Sequence, residues 1–265
     1  MAVYEQIGKG YDLTRRADPE ISARLAVHLQ LKSDYSYLDV ACGTGNYTLA
    51  LAKHGGVWHG VDQSKQMIDA AKNKSNAVAW QVAKAEALPY ADETFSGVLC
   101  TLAIHHFAAL TPAFQEIYRV LAAGCFVLFT ATPEQINKYW LVEYFPEAIY
   151  KSAEQMPSLE KVKYALKEAG FKSIDIEPYS ISENLQDLFL YSGKYRPKIY
   201  LDKNVRSGIS TFALLAPADE IAAGCKRLVA DINTGRITEI IKKYENNQGD
   251  YLFVIADKVA TSAQE

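Results

Sequence analysis

Through the first two thirds of the chain, short apolar runs alternate with segments whose apolar residues recur every three to four positions. Ser36–Ala41, Val57–Val61, Ala77–Ala83, Gly97–Leu102 and Phe126–Ala131 read as strands. Helical patterns separate them: Asn46–His54, stopped by Gly55 and Gly56; a helix after Val61 with Ser64 at its N-cap; and one between Thr111 and Gly124. In the last of these Thr111 suits the cap and Pro112 the first turn, and Phe114, Ile117, Tyr118 and Leu121 share a face. Upstream, Asp18-Pro19 opens a helix with Ile21, Leu25 and Leu29 on one side. The strand runs are continuously apolar rather than alternating, as in strands buried on both faces. The pattern predicts an α/β fold, a mostly parallel sheet with helices on both faces.

The last third is less regular. Ser158–Ala169 reads as a helix ended by Gly170, and Phe171–Ile176 as a strand. About seventy residues then precede the last strand, Tyr251–Ala256; they hold Tyr191, Tyr195, Tyr200, Phe212 and a helical stretch around Ile221–Ile232. This interval reads as an insertion or lid on the same domain.

Composition narrows the picture. With 265 residues and 49% hydrophobic content, the chain can bury a full core. Its net charge of -3 and pI near 6.0, with no run of Lys or Arg, argue against a nucleic-acid partner. The four cysteines, Cys42, Cys100, Cys125 and Cys225, form no CxxC pair, so neither a metal site nor a disulfide framework is signalled. Met1–Arg16 lacks the apolar core of a signal peptide, and no stretch is apolar enough to span a bilayer. The expectation is a reduced, cytoplasmic protein with no membrane partner, a monomer or homodimer.

The segment richest in chemistry is Leu38-Asp39-Val40-Ala41-Cys42-Gly43-Thr44-Gly45-Asn46-Tyr47. A strand ends in a glycine-containing turn that runs directly into a helix, where open α/β sheets bind ligands. The glycines admit close backbone approach, and the helix start offers free N–H groups. A dehydrogenase turn would carry a third glycine where Thr48 stands. Next, Val61-Asp62-Gln63-Ser64 ends the following strand with a carboxylate able to accept both hydroxyls of a ribose; the bland alternative is a helix cap.

Together with Ala85-Glu86-Ala87-Leu88-Pro89-Tyr90, Phe95, His105-His106 and Arg119-Val120-Leu121, these segments resemble the class I S-adenosylmethionine-dependent methyltransferases. The likeness is closest to the small-molecule subgroup typified by ubiquinone/menaquinone-type enzymes, and it spans roughly Tyr11–Thr130. It implies a Rossmann-like, seven-stranded sheet whose last strand is antiparallel. Its implied layout is a single domain: an N-terminal helical cap (1–35), a cofactor-binding core (36–180), an insertion or lid (181–250) and the last strand (251–258).

The resemblance also implies S-adenosyl-L-methionine as cofactor and assigns roles. Asp39 precedes the turn Ala41-Cys42-Gly43-Thr44-Gly45, which would pass under the methionine moiety; Asp62, with Gln63, would hold the ribose. Met67 would pack on the adenine, unless it is a plain core residue, and the backbone of Ala85 and Glu86 would meet the adenine edge. Thr101 and Leu102 would lie beside the methionine amine, and Tyr11 and Arg15 belong to an N-terminal segment that closes over the cofactor carboxylate or faces the substrate.

Two positions depart from the family pattern. Ala41 replaces the first glycine, and Lys84 stands where relatives carry an Asp that accepts from the adenine amino group, which a lysine cannot do. His106 and His105 are the candidate catalytic pair, able to take a proton near neutral pH; otherwise they shape the floor. Tyr139, Trp140, Tyr144, Phe145, Tyr150, Tyr191, Tyr195 and Tyr200 suggest either aromatic pocket walls or packing of the lid. Arg196 and Arg206 could meet an acidic group or be plain surface charge.

The expected function is methyl transfer to O, N or C of a small-molecule metabolite, in secondary metabolism. The competing readings are an RNA or protein target, a catalytically inactive cofactor-binding partner protein favoured by Lys84 alone, and a nicotinamide dehydrogenase.

Overall fold

The computed structural model describes residues 11–259, the side chain of Tyr11 excepted. Seven strands, β1 (Ser36–Val40), β2 (Val57–Asp62), β3 (Ala79–Val82), β4 (Phe95–Thr101), β5 (Leu121–Thr130), β6 (Ser173–Tyr179) and β7 (Tyr251–Lys258), form one sheet in the order β3-β2-β1-β4-β5-β7-β6. Only β7 runs antiparallel, paired with β5 and β6. The sequence-predicted sheet is therefore present, last strand included.

Side chains alternate between the two faces, and both faces are buried. Tyr37, Trp58, Leu99, Val127 and Phe129 point into one core, and Leu38, Val98, Cys100, Phe126 and Leu128 into the other. The first core is closed by α2 (Pro19–His28), α3 (Asn46–Ala52) and α4 (Lys65–Lys74), and the second by α5 (Leu110–Val120) and α8 (Leu159–Ala169). Helix α2 starts where expected: Asp18 Oδ1 accepts the N–H groups of Glu20 and Ile21, and Ile21, Leu25 and Leu29 are buried. Ser64 likewise caps α4 by accepting from Met67.

The α5–β5 junction differs from the sequence expectation. Helix α5 begins at Leu110 rather than being capped by Thr111, and the Glu86 carboxylate accepts the N–H of Ala108 just ahead of it, at 2.7 Å. The helix stops at Val120 and Leu121 already pairs with Phe95 in the sheet, so the helical spacing of Leu121 yields to strand pairing. Gly124 is no helix terminator. β5 crosses a register shift of β4 there, and a Cβ at Gly124 would stand 2.0 Å from the Ser96 carbonyl oxygen.

Above the carboxyl ends of the parallel strands sits a helical layer made from two stretches of chain. One, between β5 and α8, holds α6 (Pro133–Asn137) and α7 (Pro146–Gln155). The other, between β6 and β7, holds short turns, α9 (Lys203–Ser207), a π-helical turn at Thr211–Leu215, α10 (Ala218–Thr234) and α11 (Ile237–Lys243). The two halves share an aromatic core: Tyr139 stacks on Tyr191 at 3.8 Å, and its hydroxyl meets that of Tyr200 at 2.7 Å. The layer therefore includes residues 131–157 as well as the 181–250 interval. At the N-terminus, α1 (Tyr11–Thr14) runs along the same side. No helix among the described residues is long and apolar enough to cross a membrane.

Candidate active site

The carboxyl ends of the strands open beneath the helical layer into one cavity. Its floor is Ala41, Cys42, Gly43 and Thr44 after β1, Asp62, Gln63 and Met67 after β2, Ala83, Ala85 and Glu86 after β3, and Thr101 and Leu102 after β4. Most residues singled out in the sequence thus share one space. Tyr11 lies outside the described side chains, and Asp39 and Gly45 do not line the cavity.

The turn after β1 is built from left-handed residues, with φ of 59° at Ala41, 56° at Gly43 and 77° at Gly45. At Gly45 the requirement is double, because a Cβ would stand 2.3 Å from the ring of Trp80. At Gly43 a Cβ would meet nothing within 4 Å, so the space over the turn is clear. Ala41 holds the same handedness with a side chain, at a local cost of about 1–2 kcal/mol.

Asp62 ties the first two strand ends together. Its Oδ2 accepts the N–H of Gly43 at 2.9 Å and its Oδ1 that of Ser64 at 2.8 Å. Burial raises its pKa, against the lowering effect of those two bonds. Asp39 lies deeper, behind the turn, with Oδ2 accepting the Thr48 hydroxyl at 2.6 Å and Oδ1 left without a partner. Burial pushes its carboxyl up to about 7. Cys42 lines the cavity, but burial and the nearby carboxylates hold its thiol well above its ordinary pKa, which makes it a poor nucleophile.

Lys84 is exposed and is not among the lining residues, although Ala83, Ala85 and Glu86 on either side are. It therefore puts no cation into the cavity. The loop that follows is braced by α5: Arg119 donates to the carbonyls of Leu88 and Tyr90, and Glu116 accepts the Leu88 N–H at 2.7 Å.

His105 and His106 both face the cavity, their rings 3.8 Å apart. Burial, reinforced by His106, drops the His105 pKa to about 3, and burial alone drops that of His106 to about 4. Burial thus favours the neutral form of both rings, which weighs against a general-base role near neutral pH, and His105 Nδ1 has no hydrogen-bond partner. A base this weak has little driving force for proton abstraction at pH 7.

The roof comes from the helical layer. Ile136, Ser152, Met156, Phe189, Leu190, Ile209, Thr211 and Tyr251 line it. None of the eight aromatics expected as walls does so. Tyr139, Trp140, Tyr144, Phe145, Tyr191 and Tyr200 are buried packing, and Tyr150 and Tyr195 are exposed. Arg196 donates to the Leu185 and Ser192 carbonyls and Arg206 to that of Tyr200, so both brace the layer from outside the cavity.

Asp187 closes the rim. It is 1% exposed and takes two hydrogen bonds from Arg15, at 2.6 and 3.1 Å, and one from the Tyr47 hydroxyl at 3.2 Å. The N-terminal segment is fastened a second time where Asp12 receives Thr44, Asn46 and Lys74. Sequence reasoning missed Asp187, Ser152 and Thr211. The only available signal for Asp187 was an acid inside the apolar stretch Leu185–Leu190, and nothing in the order of residues named Arg15 as its partner.

A doubly wound sheet with a glycine turn and an acidic second strand end defines a nucleoside-binding α/β protein. Comparison with known proteins makes the class specific. Residues 38–129 match the methyltransferase domain family. A solved structure from Anabaena variabilis ATCC 29413, described as a methyltransferase from an antibiotic biosynthesis pathway, is 33% identical with a TM-score of 0.84; the match covers 92% of this chain and 99% of that one. Demethylmenaquinone methyltransferase of Alkalihalophilus pseudofirmus is 29% identical over 171 residues, 54% of this chain and 72% of that one. Phosphoethanolamine N-methyltransferase 2 of Haemonchus contortus, solved with S-adenosyl-L-methionine, shares the fold at 19% identity and a TM-score of 0.64, over 97% of this chain and 58% of that one. The chain belongs to the class I S-adenosylmethionine-dependent methyltransferases.

Proposed function

We propose that this protein transfers a methyl group to O, N or C of a small-molecule metabolite in secondary metabolism. The antibiotic-pathway description of the Anabaena relative supports the pathway type. The observation that carries the reading is the convergence of four strand ends, with Gly43, Asp62, Glu86 and Leu102, on one covered cavity.

The residues present fit the cofactor. The clear space over Gly43 is a cradle that a side chain would fill, and Asp62 brings a carboxylate, with lone pairs beyond its two backbone bonds, to the wall where a ribose would lie. Met67 and the backbone of Ala85 and Glu86 would flank the adenine; Ala41, Cys42, Thr101 and Leu102 would surround the methionine moiety. With Lys84 outside the cavity, it no longer argues for a protein that binds without catalysis.

When bound, the cofactor supplies an electrophilic methyl group on a sulfonium. This chain's part is to hold the acceptor in line and keep water out, a kind of contribution worth up to about 7–11 kcal/mol. Arg15, paired with Asp187, clamps the N-terminal segment over the rim. His105 and His106 are assigned as neutral groups that shape the floor and accept hydrogen bonds, with His106 the first candidate to touch the acceptor. An acceptor that carries a free lone pair suits such a site.

The test is calorimetric titration with S-adenosylmethionine and S-adenosylhomocysteine. Losing a hydrogen bond to a charged group costs about 1.5–3 kcal/mol, so Asp62→Ala is expected to weaken both about 10- to 100-fold. Unchanged affinity in the variant would remove Asp62 as the ribose anchor.

A further inference from the structure

The roof of the cavity is mostly apolar, and its polar side chains sit on two elements: Ser152 and Gln155 on α7, and Ser210 and Thr211 at the π-helical turn. Ser152 on α7 and Thr211 at the start of the π-helical turn both line the cavity, and their hydroxyl oxygens lie 2.9 Å apart. Ile136, Met156, Leu190 and Ile209 line the same roof. Replacing two such hydroxyls by apolar groups of like shape is often neutral for stability, so folding gives little reason for the pair. One O–H donor joins them, which leaves a second donor and several lone pairs unspent.

Both hydroxyls are held by packing. Gly208, three residues before Thr211, sits so close to Thr14 that a Cβ would come 2.0 Å from its hydroxyl oxygen. Phe212, the residue after, packs edge-on against Phe145, next to the start of α7, at 4.9 Å. Thr211 opens a π-type turn, a rare geometry frequent at functional sites.

The charges around the cavity are already engaged. Arg15 pairs with Asp187, Asp62 accepts the N–H groups of Gly43 and Ser64, and Glu86 accepts that of Ala108. Both histidines that line the cavity are neutral at pH 7. An anionic acceptor would meet no Lys or Arg of the lining except Arg15, which is already paired with Asp187, to offset its desolvation.

We infer that Ser152 and Thr211 determine specificity: they receive the hydroxyl or carbonyl group of an acceptor that bears no negative charge and whose body is apolar. This rests on the methyltransferase reading above and narrows it to a substrate class.

The experiment uses the full chain at pH 7, saturated with S-adenosylhomocysteine, and matched probes titrated by calorimetry: 2-naphthol, 2-naphthoate and naphthalene, then 4-butylphenol, 4-butylbenzoate and butylbenzene. The phenols are expected to bind at least tenfold more tightly than the carboxylates and at least threefold more tightly than the hydrocarbons. Ser152→Ala and Thr211→Val should each weaken the phenols about 3- to 10-fold while hydrocarbon affinity stays within twofold, and Thr211→Ser should restore phenol binding. A purely structural role would shift phenols and hydrocarbons together, and that result overturns the inference. Carboxylates binding as tightly as phenols, or phenols not binding to the cofactor-loaded protein, overturn it equally. Failure of S-adenosylhomocysteine itself to bind removes the methyltransferase reading, and this inference with it.

Discussion

Gly45 and Ala41 occupy the same turn with the same handedness of backbone, yet their tolerances differ. Gly45→Ala combines a left-handed L-residue with a collision against Trp80, so a loss of about 2–5 kcal/mol is expected in denaturant unfolding. Among ionisable residues, burial works in opposite directions. His105 and His106, held neutral in the fold with pKa values near 3 and 4, charge more readily in the unfolded chain. Their contribution is complete above about pH 6.5 and is lost as pH falls towards 4. Asp39, raised to about 7, favours its protonated form in the fold, and its contribution is lost as pH rises from about 4 through 7. Melting temperatures followed from pH 4.5 to 8 should therefore fall on both sides of a maximum. Asp39→Asn should flatten the alkaline limb, and the His105→Gln, His106→Gln pair the acid one. At this scale the motif Ala41–Gly45, Asp62 and the two histidines was legible, because their chemistry depends on residue type at a fixed spacing. The protonation state of the histidines was not, because burial is a property of what packs over them.

Element by element, the amphipathic helices and continuous apolar strands could be read from the chain, with caps at Asp18 and Ser64 where expected. The junction at Leu121 could not, since helical spacing and strand pairing both fit it and only β4 decides. The link between the N-terminal segment and the lid was equally hidden. Arg15 and Asp187 are 172 residues apart and share one buried ion pair. Breaking such a pair from one side costs about 3–5 kcal/mol, whereas removing both partners is far milder. Asp187→Leu should thus destabilise the fold strongly and Arg15→Met with Asp187→Leu much less, giving a coupling above about 1 kcal/mol in a double-mutant cycle. Both variants should also weaken S-adenosylmethionine binding, since the clamp over the rim is lost.

Taken whole, the molecule encloses its site between a rigid sheet edge and a layer from two separate stretches of chain. A ligand bound there stabilises the native state only, by about 2.7 kcal/mol at one hundred times its dissociation constant. For a domain of this size that corresponds to a rise of roughly 5–10 °C in melting temperature. S-adenosylhomocysteine should produce that shift in differential scanning fluorimetry, and NAD should produce none.

The chain's own order of residues determined the sheet, the glycine turn and the carboxylate at the end of β2, because each follows from local periodicity or from a motif less than about thirty residues long; the cofactor followed from the family resemblance that these segments carry together. The aromatics of the lid were visible as residues, but their direction was not: they pack the layer, and the roof is made by Ile136, Ser152, Phe189, Thr211 and Tyr251 instead. Those residues come from segments far apart in the chain and belong to no single period. Only the closing of the tertiary structure brought them over the floor, and with them the paired hydroxyls of Ser152 and Thr211.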